Sequence, residues 1–437
     1  MLKRISKKYS VLALLILGVV IRFTIFYISP PTNSYDDHLA VIHEYSVKKE
    51  RPLPFSCWEC YQPPVYYIVS ALTFNSTQFI GFSKDLSWKF VQLINPILSI
   101  LFLFLVIKIF ALFKIKFALK LLYLSFFVVL PREVFTSTMI GNDYLLVFFS
   151  VASLFYFYKF SLNGNRTIDY LWLCLFVLLG GLTKQHGLLL LLLPGVLVLS
   201  KLQKPNYSLV LVLTLISVLL TLEELWKYNH TGEFMVSNQH YFDYAKNQFP
   251  GNLNKVEFIS FRIIDLYIEP FITNETAASF PTEIFARTFF DYEYRFFSPK
   301  YDVLKSFGRF SYVFGLIWLL FFTITTWFKV KRSKFNKENL LIKITPALIG
   351  VMFCLVPVIQ TIRYPYFSSM KAMFLLPGII FIIIAHVVYI KDFRIDSKLL
   401  KVLTILNISF GSIFICLVFL YTEESLSQLH GPLWLIP

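Results

Sequence analysis

Apolar runs of roughly 18 to 25 residues recur along this chain, each long enough for a helix to cross the hydrocarbon core of a bilayer, and they leave it little choice but to fold in a membrane. The runs fall near residues 9–28, 90–112, 117–133, 143–160, 168–184, 186–202, 207–225, 308–328, 339–361, 370–390 and 400–421. Lipid offers no partner to a backbone N–H or C=O, so such runs are satisfied only as helices or closed barrels, and their length selects helices. The expected fold class is an all-α polytopic membrane protein with about eleven transmembrane helices. Composition agrees, with 57% of the 437 residues hydrophobic, 18% aromatic and 15% charged.

A net charge of +15 would suggest a nucleic-acid partner in a soluble protein. Here Lys and Arg gather in every second loop: at Lys3, Arg4, Lys7 and Lys8, at Lys114 and Lys116, at Lys159 and Arg166, at Lys201 and Lys204, between Lys329 and Lys337, and between Lys391 and Lys401. That is the charge bias of cytoplasmic loops, so the charge reports a cytoplasmic N-terminus and argues against nucleic acid. Counting residues 63–82 as a further span would reverse the bias of every later loop. They are therefore read as a helix in the outer interface. All acidic residues other than Asp169, Glu338, Asp392 and Asp396 then fall on the outer side, where chemistry is expected.

Two outer segments are long, about 29–89 and 226–307, and neither has the composition of a linker. They predict ordered structure carrying interfacial helices. With no internal repeat and no soluble module, residues 1–437 read as a single membrane-embedded domain whose first run is an uncleaved anchor. Cys174, Cys354 and Cys416 lie inside apolar runs and read as packing residues. Cys57 and Cys60 lie in the first outer segment and read as a disulfide or free thiols; a metal site would need two more ligands from His38, His43, His230 and His240.

Asp36 and Asp37 follow the first span. On a helix Asp36, Ala40, His43 and Val47 would share a face. Adjacent carboxylates repel and raise one pKa, which suits a general base or a cation-binding pair; a solvated helix N-cap accounts for the same two residues. Further along, Arg132 and Asp143 lie in one outer connection, Lys184 stands at another outer helix end, and Arg363 and Lys371 flank a third outer turn. Each cation alone reads as a snorkelling side chain, whereas converged they make a phosphate pocket. Arg287, Asp291, Glu293 and Arg295 stand at helical spacing among aromatics, as acceptor contacts or as a surface helix with an Arg287–Asp291 pair.

The order of first span, acidic pair, Gln62-Pro63-Pro64-Val65-Tyr66-Tyr67, Asn142-Asp143 at a span start, Gly181-Leu182-Thr183-Lys184 and Lys371-Ala372-Met373-Phe374-Leu375-Leu376-Pro377 resembles the lipid-carrier-dependent glycosyltransferases of the C superfold. It is most similar to the branch related to protein O-mannosyltransferases and lipid A aminoarabinose transferases, over most of the chain. The resemblance implies transfer of a sugar from a polyprenyl-phosphate donor to a lipid, glycan or protein acceptor hydroxyl on the outer face, by direct displacement. It implies Asp36 as catalytic base, with Asp37 where the family usually has Glu. It further implies that Arg132, Asp143, Lys184, Arg363 and Lys371 bind the donor phosphate and sugar, and that Tyr66 and Tyr67 lie near the carrier. In the aminoarabinose transferases an acidic zinc ligand and a basic residue precede Pro-Pro; Tyr61 and Gln62 stand there instead, which leaves a divalent cation open.

A polysaccharide polymerase or lipid ligase would share the lipid-phosphate substrate, and a transporter, flippase or non-enzymatic subunit remains a further class. Asn229-His230-Thr231 and Asn274-Glu275-Thr276 have the form of glycosylation sequons and admit an endoplasmic reticulum, while the short chain favours a bacterial plasma membrane.

Overall fold

The computed structural model describes residues 2–162, 166–200, 207–236, 255–332, 340–364 and 370–430. Lys201, Lys204, Lys337, Glu338 and His240 lie outside these residues. Helix α1 (Leu2–Ile28) leads into the first long loop, which carries α2 (His38–His43) and α3 (Val65–Phe79). There follow α4 (Lys84–Leu112), α5 (Phe117–Val129), a short α6 (Pro131–Thr136), α7 (Asn142–Leu162), α8 (Thr167–Gly181), α9 (Leu192–Leu199) and α10 (Tyr207–Thr231). The second long loop carries α11 (Lys255–Ile259), α12 (Ile263–Ile268), α13 (Asn274–Ala277) and α14 (Phe280–Phe289). The remaining helices are α15 (Asp302–Arg332), α16 (Leu340–Arg363), α17 (Leu376–Ile390) and α18 (Ser397–His430).

Among the described residues, eight helices are long and apolar enough to cross a membrane: α1, α4, α7, α10, α15, α16, α17 with the 3-10 turn before it, and α18. Three shorter apolar stretches, Phe117–Val129, Thr167–Gly181 and Gln185–Leu199, account for the other expected runs. The protein is an all-α integral membrane protein. The run expected over 117–133 ends early, because Leu130 precedes a proline and leaves the helical region; α6 then restarts with Pro131 in its first turn.

Helix α3 has two unlike faces. Tyr66, Tyr67, Ser70, Ala71, Phe74 and Thr77 are buried, while Ile68, Val69 and Leu72 are exposed on the other side. At 15 residues it is too short for a full span, and a half-buried helix with an apolar outer face suits the interface assigned to it.

The helices run between two chemically distinct ends. At one, Lys391 lies 5.8 Å from the ring of Phe113 and Lys329 lies 5.9 Å from that of Tyr389, so the basic C-terminal ends of α4, α15 and α17 meet. At the other, the two long loops pack on each other: the Asn33 amide donates to the Arg295 carbonyl at 3.1 Å. The first loop is also tied to α10, where Arg51 donates to both oxygens of Glu223 at 2.8 and 2.5 Å with its guanidinium 3.4 Å from the ring centre of Trp226. Helix α17 is held against α16 at a glycine crossing. A Cβ on Gly378 would come within 2.5 Å of the Gly350 carbonyl oxygen, so only glycine allows this approach. The contact fixes the start of α17, and with it Lys371.

Candidate active site between the two loops

The turn before α2 sorts the acidic pair. The Asp36 carbonyl accepts from the His38 amide at 2.8 Å, and the Asp37 carboxylate accepts from the Ala40 amide at 3.2 Å, capping α2. Asp37 is therefore exposed and directed along the helix end, while the Asp36 side chain turns inward and keeps 6% exposure. The expected shared face does not form: α2 begins at His38, after Asp36, and His43 is exposed.

Lys371 meets Asp36 there. Its Nζ lies 2.5 Å from Asp36 Oδ1 and 3.4 Å from the Tyr35 carbonyl oxygen. Nearby, Lys184 Nζ lies 2.5 Å from Asp143 Oδ1, with both side chains buried. Asp143 stands in the first turn of α7, where the helix dipole favours a carboxylate. The two pairs converge on one ring: Lys184 and Lys371 lie 4.6 and 5.9 Å from the centre of Phe374.

The first loop and α4 build this arrangement. Gln92 donates to the Thr138 carbonyl at 2.7 Å, and Asn95 to those of Met139 and Gly141 at 2.7 and 3.0 Å, fixing the turn into α7. The Asn142 amide reaches the Thr183 carbonyl at 3.2 Å and joins that turn to the segment bearing Lys184. The Val65 amide donates to the Leu182 carbonyl at 3.0 Å, so the Pro-Pro segment is pinned to the same place. Tyr66 and Tyr67 are fully buried supports: the Tyr66 hydroxyl accepts from the Gly141 amide at 2.9 Å, and that of Tyr67 lies 2.9 Å from His38 Nδ1.

Electrostatics departs from the expectation of a raised pKa in the acidic pair. Burial pushes the Asp36 carboxyl up, but Lys371, His38 and Lys184 together outweigh burial and hold it at about 2. Asp37 points away, and no neighbouring carboxylate on Asp36 overrides the lysine. Burial instead raises Glu59 well above the usual carboxylate range, with Asp36 adding to the effect. Glu59 lies in the turn closed by the Cys57–Cys60 disulfide and accepts from Gln62 at 3.0 Å. Burial likewise keeps His38 neutral, pushed down to about 4.

Arg132 stands one step from the lysines. Its Nη1 donates to the Tyr35 hydroxyl at 2.6 Å and its Nε to the Arg287 carbonyl at 2.7 Å, so it braces the first loop against the second. Arg287 and Asp291 do not pair, because α14 ends at Phe289. Arg287 binds Glu283 at 2.6 Å and Glu293 at 3.0 Å, whereas Asp291 accepts the backbone amides of Arg295, Phe296 and Phe297. Both are buried, not surface, residues. Arg363 is exposed, with its guanidinium 5.1 Å from the ring of Tyr364, and no contact among the described residues brings it to the lysine pairs. No three His, Cys, Asp or Glu side chains form a metal-holding group among the described residues.

Tyr35, His38 as a site residue and Glu59 were not singled out from sequence. A signal existed for Glu59, an acidic residue between two cysteines three positions before Gln62. Tyr35 carries no local mark.

No family model and no curated protein matches the chain. Among solved structures it is similar to ArnT from Cupriavidus metallidurans bound to undecaprenyl phosphate, at 15% identity over 87% of this chain and 77% of that one, with a TM-score of 0.39. It is also similar to the archaeal oligosaccharyltransferase AglB from Archaeoglobus fulgidus in complex with an inhibitory peptide and a dolichol-phosphate, at 12% identity over 97% of this chain and 56% of that one, with a TM-score of 0.39. At TM-scores below 0.5 neither likeness fixes the fold or the reaction of this chain.

Proposed function

We propose that this membrane protein is a glycosyltransferase that moves a sugar from a polyprenyl-phosphate carrier to an acceptor hydroxyl at the face bearing the two long loops, the outer face if the basic ends are cytoplasmic. The observation that supports this best is the pair of lysines on Phe374, each matched by a carboxylate from a distant part of the chain. Fixed cations are what a leaving phosphate requires, because they stabilise the negative charge that develops as the sugar departs. Lys184 and Lys371 are the donor-phosphate residues in this reading, with Asp143 orienting Lys184 and Arg132 holding the loops around them.

In the displacement, the acceptor oxygen forms a bond to the anomeric carbon while the bond from that carbon to the phosphate oxygen breaks, and its electron pair leaves with the phosphate. Asp36 takes the acceptor proton. A carboxylate paired to Lys371 is a weak base, but a phosphate that draws Lys371 toward itself removes the strongest attraction on Asp36 and makes it more basic. The base is thus released by the substrate whose departure it assists.

The test is transfer of labelled sugar by membranes containing the protein, offered either a polyprenyl-phosphate sugar or the matching nucleotide sugar with carrier synthesis blocked. The lipid-linked donor alone should serve. Polymer joining without sugar transfer would exclude this reaction and favour a polymerase or ligase, and transfer from the nucleotide sugar would exclude it in favour of a transferase that uses that donor directly.

A further inference from the structure

Between α2, α6 and the turn before α7 lies a small cavity of about 10 Å³ lined by Tyr35, His38, Thr136, Gly141, Asp143 and Met373, among others. Two of its lining side chains carry a buried polar atom without a hydrogen-bond partner among the described residues: His38 Nε2 and Thr136 Oγ1. His38 is 1% exposed and Thr136 5%. The neighbours of Thr136 behave differently. Ser137 and Thr138 return their hydroxyls to the carbonyls of Val134 and Phe135 at 2.7 and 2.9 Å, the usual resting place for such groups in a helical turn.

The His38 ring is held by its other nitrogen. Nδ1 lies 2.9 Å from the hydroxyl of Tyr67, itself fully buried and stacked on Tyr45. Gly141 lies close against the free edge of the ring: a Cβ there would stand 3.3 Å from both Nε2 and Cδ2. Buried polar atoms left unpaired are costly, and two around one cavity imply a polar partner of matching size.

We infer that His38 Nε2 and Thr136 Oγ1 form a subsite for one saccharide hydroxyl, beside the Asp36–Lys371 pair. A hydroxyl fits where a carboxylate or ammonium does not, because it donates and accepts at once and so satisfies Nε2 in either tautomer as well as the threonine hydroxyl. The cavity has room for about one oxygen atom. The naming of a saccharide rests on the glycosyl-transfer reading; the hydroxyl belongs to the transferred sugar or to a sugar acceptor. His38 and Thr136 are positioning residues in this account, with no proton transfer assigned to them.

The test is binding to the purified full-length protein in detergent, followed by calorimetry, with three probes: a polyprenyl phosphate without sugar, the same lipid carrying a hexose, and a methyl hexoside. Thr136→Val keeps shape and removes the hydroxyl, Thr136→Ser restores it, and melting temperatures without ligand verify that both are folded. Thr136→Val should weaken one saccharide probe on the order of three- to tenfold, leave the bare lipid unchanged, and be rescued by Thr136→Ser. Loss confined to the lipid-linked hexose assigns the hydroxyl to the donor; loss confined to the methyl hexoside assigns it to the acceptor. Equal binding of all probes by wild type and Thr136→Val, equal loss of the bare lipid, or no saccharide binding by wild type would each overturn the subsite and leave a structural water as its occupant. If saccharide binding is lost as expected while the wild type transfers no sugar, the catalytic reading falls and the subsite stands.

Discussion

Lys371 reaches Asp36 across 335 residues of sequence, with Nζ 2.5 Å from Oδ1, at the place where the two long loops meet. The first loop, a helix start late in the chain and the glycine crossing of α16 and α17 must all be in place for this one contact to exist.

Asp37 and Asp36 should separate by function. Asp37→Ala removes an N-cap and should cost about 1 kcal/mol of stability while leaving transfer within a few-fold of wild type. Thermal unfolding in detergent and the transfer assay read the two effects; a loss of transfer as deep as that of an Asp36 variant would make Asp37 part of the chemistry.

The Lys184–Asp143 pair should behave as a buried unit. Lys184→Met leaves an unpaired carboxylate and should destabilise by roughly 3–5 kcal/mol, as should loss of Asp143 alone, whereas Asp143→Asn combined with Lys184→Met recovers much of that stability without recovering transfer. A double-mutant cycle with no coupling energy would show that the two side chains act independently.

Arg287 should prove to be a structural residue. Removing it by Arg287→Met strands Glu283 and Glu293 in the second loop and should cost roughly 3–5 kcal/mol. Equal stability with a raised acceptor KM would instead make it an acceptor contact.

The pH dependence has opposite signs at two carboxyls. Asp36 is held below its ordinary value, so its contribution to stability is fully present above about pH 4 and is lost as pH falls toward about 2. Glu59 is raised, so the folded state favours its proton and stability declines as pH rises from the ordinary Glu value toward the folded one. Melting temperatures should show a constant gap between Glu59→Gln alone and Glu59→Gln combined with Asp36→Asn from about pH 5 to about pH 8, and a flatter profile for Glu59→Gln than for wild type. A Glu59→Gln profile parallel to wild type would mean that this carboxyl does not titrate differently on folding.

Much of the fold could be read from the apolar runs, because lipid leaves the backbone only one way to satisfy itself over each of them. Asp143 and Lys184, flanking neighbouring helices, were legible as residues near a span end. Their pairing was not, nor was that of Asp36 with Lys371, since nothing local tells a turn which distant turn it will meet. Arg363 and Lys371 looked equivalent in sequence, but the end of α16 leaves Arg363 exposed while the 3-10 turn before α17 carries Lys371 inward. Thr136 was hidden for a different reason: it opens a run of three hydroxyl residues, Thr136, Ser137 and Thr138, and sequence gives no sign of where each hydroxyl goes.

The central claim is that the Asp36 carboxylate takes the acceptor proton. Asp36→Asn keeps the shape of the side chain and its place beside Lys371, so the decisive measurement is transfer of labelled sugar from a polyprenyl-phosphate donor in membranes holding equal amounts of wild type and variant. Asp36→Asn should transfer at a rate at least about 100-fold lower, with donor binding retained. Equal transfer by the two proteins would contradict it and reduce the Asp36–Lys371 contact to a clasp between loops.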